Sequence, residues 1–91
     1  MSLSRKLTDD ELIEKYVEPH PSKPGPARWR LVEAEHGVPV WALIAVLAED
    51  GSNAAQVARD YDISLEAMDA AVAYYRRNKK YIDAWNLLNW A

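Results

Sequence analysis

Few residues in this chain are of a type and spacing that could do chemistry. The two histidines, His20 and His36, lie in loop-like stretches, and neither has a second His three or four residues away. That spacing is what puts two imidazoles on one helix face for zinc, so no metal site is expected. Ser52 and Ser64 have no neighbouring base and read as helix caps, not nucleophiles. Asp9/Asp10 and Glu49/Asp50 are adjacent in sequence. Neighbours on a helix point apart, so these carboxylates cannot work as an acid/base pair. The three glycines, at 25, 37 and 51, are too scattered to cradle a phosphate. No catalytic residue, no metal and no cofactor is expected.

Two other groupings concern binding. Arg76, Arg77, Lys79 and Lys80 form the one dense basic cluster, with Tyr74, Tyr75 and Tyr81 interleaved. It is either a phosphate-contacting patch or a solvated helix end whose cations suit the helix dipole. Arg28 and Arg30 flank Trp29 and would extend a positive stripe if their strand paired across a dimer. The second grouping is apolar: Tyr81, Ile82, Trp85, Leu88 and Trp90 crowd the end of the chain. With Trp29 they are candidates for a partner or dimer interface, since Trp and Tyr serve as anchors there. The alternative is that they complete the core.

Composition bounds these readings. Ninety-one residues with 49% hydrophobic and 27% charged make one small globular domain. There is no Cys and no Phe, but four Trp and five Tyr. Without disulfide or thiolate staples, stability must come from packing. The net charge of −3 removes the basic footprint common to nucleic-acid binders. No apolar run approaches the ~18 residues that suggest a membrane span, and the first residues lack a secretory signal. No membrane association and a cytoplasmic location are therefore expected.

The elements that must position these residues are mainly helical. Thr8 and Glu11 form a capping box for a first helix reaching about Val17. Prolines 19, 21, 24 and 26 then forbid helix and make an extended tether, which like the aromatic C-terminus could supply a partner-binding surface. Residues 28–33 alternate as a short strand, and His36-Gly37 signals a turn. Pro39 opens a helix with Val40, Leu43, Ile44, Leu47 and Ala48 at helical spacing, closed near Gly51. Asn53 caps a short helix carrying Ala54, Val57, Ala58 and Tyr61. After a turn at Asp62-Ile63, Ser64 caps a helix whose apolar stripe is Leu65, Met68, Ala71, Val72 and Tyr75. Asn78 breaks it, and a last amphipathic helix runs to about Trp90. Residues 1–27 thus read as a helix and tether. Residues 28–91 read as a helix-turn-helix-like domain of the homeodomain or winged-helix kind, a small bundle with a short N-terminal strand or hairpin.

Residues 52–75 carry the helix-turn-helix spacing: small Ala58 allows a close crossing and Ile63 plugs the angle. As a recognition helix, residues 64–78 would offer Glu66, Ala67, Asp69 and Ala70 to the bases. Carboxylates are repelled by phosphates and find a donor only on cytosine. Sequence-specific readout by this helix is therefore disfavoured.

Over roughly half its length the chain resembles a bacterial family, domain-of-unknown-function family 433. The shared residues are Val38-Pro39-Val40, Leu47-Ala48-Glu49, Gly51, Val57-Ala58, Asp60-Tyr61, Leu65-Glu66, Ala70-Ala71 and Tyr74-Tyr75, with Asn78 to Asp83 similar beyond them. The family usually has a basic Arg-Gly-Thr-Arg turn before this stretch, whereas Ala34-Glu35-His36-Gly37 stands here and is acidic. The resemblance implies a helix-turn-helix-like, non-enzymatic antitoxin whose partner is a PIN-like ribonuclease toxin. A homodimer that binds its toxin is the expectation; an operator-binding repressor is the alternative, and an enzyme the residual one.

Overall fold

The structure is a computed structural model and describes residues 6–49 and 51–89. Among them are five α-helices and one two-stranded antiparallel ribbon. Helix α1 (Asp9–Tyr16) begins with the expected capping box: Thr8 accepts from the Glu11 amide while Glu11 reaches back to the Thr8 amide. Strand β1 (Val17–Glu18) pairs with β2 (Arg30–Leu31), in register Val17 to Leu31 and Glu18 to Arg30. Strand β2 is shorter than residues 28–33, because 3-10 turns at Pro26–Arg28 and Glu33–Glu35 bound it.

The far side of β2 is also occupied. The Leu31 amide donates to the Val38 carbonyl at 2.8 Å, and Val40 donates to Trp29 at 3.2 Å. With β1 on one side and Val38–Pro39 on the other, this strand has no open edge. A dimer formed by pairing residues 28–33 with a second copy is therefore closed off.

Helix α2 (Val40–Leu47) starts after Pro39 and ends at Ala48, before the stop expected at Gly51. Helix α3 (Ala54–Asp60) is capped by Asn53, and α4 (Leu65–Arg77) by Ser64. Between them Asp62 takes a positive φ of 55° and the Ile63 amide donates to the Ala58 carbonyl. Ala58 and Ile63 are both buried, as the close crossing of two helices requires. Asn78 ends α4, and its carbonyl receives the Ile82 amide to start α5 (Lys79–Asn89).

Helix α4 is the centre of the molecule, packed on by α1, α2, α3, α5 and β1. Crowding on so many sides selects small side chains: Ala67, Ala70, Ala71 and Ala73 are buried with Met68 and Tyr74. Of the expected stripe, Met68 and Ala71 are fully buried, and the buried surface extends beyond it. Leu65 is 53% exposed, and Val72 and Tyr75 are only partly buried. Helix α1 lies antiparallel along α4. Arg76 pairs with Asp9 and Arg77 with Asp10 at one end, and Lys15 with Glu66 at the other. Leu12 and Val17 belong to the same buried cluster as Leu31, Leu43 and Ile82. A division at residue 27 therefore does not separate two packed units. No helix among the described residues is long and apolar enough to cross a membrane.

Candidate functional site

An apolar groove of about 440 Å³ lies between the proline segment and α5. One wall is built locally. Gly25 has φ 101°, a conformation side chains rarely adopt, and turns the chain into the 3-10 turn at Pro26–Arg28. That wall is fixed to α4 by Tyr74, whose hydroxyl donates to the Pro26 carbonyl at 2.6 Å. The Tyr74 ring stacks on Trp29 with centroids 5.3 Å apart. Burial pushes the Tyr74 phenol up from its ordinary value, so it stays a neutral donor.

The other wall is α5, through Tyr81, Ala84, Trp85 and Leu88. It is anchored by Ile82, which is fully buried at 0% exposure. Tyr75 on α4 donates to Asp83 at 2.7 Å, and Lys79 pairs with the same carboxylate. Lys79, then Tyr75, holds the Asp83 carboxyl below its usual range. Trp85 leans on Trp41 of α2, with centroids 6.1 Å apart. Its ring face carries the Arg28 guanidinium, 4.2 Å from the centroid. Two buried polar atoms on this helix have no hydrogen-bond partner, the Trp85 Nε1 and the Asn86 Oδ1.

The candidate interface residues divide accordingly. Trp85 lines the groove, Tyr81 is half-exposed on its rim, and Leu88 is 83% exposed. Ile82 is core, not interface, because no part of it reaches the surface. Trp29 is held under the groove wall by Tyr74. Trp90 lies outside the described residues. Pro24 and Pro26 lie in the proline tether that the sequence also offered as a partner surface, whereas the lining residue Lys23 was not singled out. Leu87, 73% exposed and likewise not singled out, faces a different concavity beside α2.

The candidate phosphate contacts are mostly engaged within the chain. Arg76, Arg77 and Lys79 face Asp9, Asp10 and Asp83. Arg30 donates to Glu18 from Nε and from a terminal nitrogen, at 3.2 and 2.9 Å. Lys80 is exposed with no ion pair among the described residues, and Arg28 lies on Trp85. The positive stripe that pairing across a dimer would have extended is broken by carboxylates.

Of the four α4 residues weighed for base contact, Asp69 is exposed and the other three are buried or engaged. Ala67 and Ala70 are wholly buried. Glu66 accepts from the Tyr16 hydroxyl and from Lys15, which together hold its carboxyl below the usual range. The N-terminus of α4 is clasped by Glu35. One Glu35 oxygen accepts the Ser64 amide at 3.0 Å and the other the Ser64 hydroxyl at 2.9 Å. This carboxylate, in the acidic turn, sits where a phosphate would otherwise meet the helix end.

The histidines serve as local ties. His36 stands 3.5 Å from Asp62. His20 Nδ1 accepts the amides of Ser22 and Lys23, each at 3.1 Å, and so shapes the approach to the groove. Lost hydration, and then the charges of Lys23, Arg30 and Arg28, lower its pKa below the ordinary 6.5. The depressed value means the fold favours neutral His20. This contribution is complete above 6.5 and is lost as pH falls through the lower folded value. The amide resonances of Ser22 and Lys23 are expected to titrate together, with a midpoint below 6.5. A midpoint at or above 6.5 would contradict this contact.

In comparison with known proteins, no family model, no curated sequence and no solved structure matches the chain.

Proposed function

We propose that the protein is a non-enzymatic interaction module of the antitoxin kind, which holds a partner protein on the face formed by Pro24–Arg28 and α5. The observation that carries this reading is the apolar groove lined by Tyr81, Trp85 and Leu88, the last of them left 83% exposed. Large apolar side chains left exposed at an apolar groove mark a surface that gains by being covered. The resemblance described above makes the partner a ribonuclease toxin encoded nearby.

An operator-binding repressor is less well supported. Carboxylates meet three of the four cations in the Arg76–Lys80 cluster, and Glu35 covers the α4 N-terminus. DNA binding would be recognised by an affinity that falls steeply with salt. A gel shift with the native promoter at low salt is expected to show none.

The reading is tested by co-expressing the protein with the product of the adjacent reading frame. The two should co-elute on size exclusion. Leu88→Asp should separate them while leaving the thermal melt of the free protein unchanged. Absence of any complex, together with a strictly monomeric protein in sedimentation, rejects the proposal.

A further inference from the structure

The groove beside α5 has a cationic rim and an apolar floor. Lys23 and Arg28 line it, and no Asp or Glu does. This is unusual in a chain of net charge −3. Arg30, two residues on, is held by Glu18, whereas no described carboxylate pairs with Arg28 or Lys23. Arg28 is nonetheless positioned, because its guanidinium rests on Trp85. A guanidinium held on a ring face keeps N–H donors at its edge for a carboxylate. Its conformational freedom is already reduced before any partner arrives.

We propose that this groove binds a segment of the partner protein that sets a large apolar side chain against Pro26, Trp85 and Leu88 and a neighbouring Asp or Glu on Arg28 and Lys23. The inference rests on the reading of the protein as an interaction module and adds the chemistry of what it recognises. A second copy of the chain is a poorer occupant: two such faces brought together would oppose Lys23 and Arg28 to the same cations. Single-stranded nucleic acid is also poorer, since it needs free ring faces and that of Trp85 is covered by Arg28.

The test pans a random-peptide phage library against the full chain and measures the selected peptides by fluorescence anisotropy. Selected sequences should be enriched in Asp or Glu beside Leu, Phe or Trp. Changing that acid to its amide, or Arg28→Gln in the protein, should each weaken binding about tenfold. The two changes together should cost little more than either alone. Lys23→Gln provides a second variant should Arg28→Gln perturb the fold. Failure to enrich any sequence, or binding indifferent to the acid and to both cations, overturns the proposal. So does tighter, Arg28-dependent binding of a labelled oligothymidine, or a dimer in sedimentation that Leu88→Asp dissolves. A complex with the adjacent gene product that survives Arg28→Gln but not Leu88→Asp would overturn this inference and leave the interaction-module reading standing. Acid-dependent peptide binding without that complex would overturn only the antitoxin role.

Discussion

Ile82→Ala is expected to destabilise the fold by about 2–5 kcal/mol, while Leu88→Ala on the same helix changes stability by less than about 0.5 kcal/mol. Both are large aliphatic residues of α5, and sequence spacing places them in one apolar set. The structure separates them: Ile82 is 0% exposed and Leu88 is 83% exposed. Truncating Ile82 removes buried methyl groups and leaves a cavity against α4 and α2, whose neighbours relax only partly. Truncating Leu88 removes a side chain already in water. For a domain of this size the first change should lower Tm by about 10 °C or more. Differential scanning calorimetry of the two variants measures the contrast. Equal melting temperatures would mean that α5 is not docked through Ile82.

A second large effect is expected at Ala70, where Ala70→Leu should cost about 1–3 kcal/mol or more and dislodge α1. Glu66 and Arg77 both touch α1, and Ala70 and Ala73 lie on the α4 ridge between them. Both alanines are fully buried, so α1 meets α4 with no room for a larger side chain. The ion pairs that flank this seam are exposed, and such pairs contribute about 0–1 kcal/mol each. Close packing, not charge, should therefore hold α1 in place. Asp9→Asn combined with Asp10→Asn is expected to shift Tm by only a few degrees. Ala70→Leu should in addition raise hydrogen exchange throughout α1. A larger loss from the aspartate pair than from Ala70→Leu would reverse this assignment.

The parts of the fold legible in sequence are those set by local bonds. Thr8 with Glu11, Asn53 with Gln56, and Ser64 with Ala67 close caps three residues apart, so the residue types sufficed. The mainly helical class with a small N-terminal ribbon followed from the same signals. The stripe of α4 was legible only in part: Met68 and Ala71 are buried as expected and Val72 and Tyr75 pack against the core, but Leu65 is exposed and Ala67, Ala70, Ala73 and Tyr74 were missed. Amphipathic spacing assumes one covered face, and a helix packed on several sides buries its alanines instead. The groove was hidden. Its walls come from residues about 60 apart, and Arg28 meets Trp85 only because Tyr74 holds Pro26. The basic cluster looked free because its carboxylate partners at Asp9 and Asp10 stand 67 residues earlier.

The antiparallel seat of α1 on α4 also has a consequence for synthesis. Lys15 and Glu66 are 51 residues apart, so α1 is made well before the surface that receives it. At about 5–20 residues per second on the ribosome, that interval is roughly 3–10 s. An isolated helix of eight residues is too short to persist in water, so the segment waits as a fluctuating chain with Leu12 and Val17 uncovered. Translation must deliver α4 before this apolar face finds cover. Nascent chains halted between β2 and α3 are therefore the species with most to gain from a chaperone.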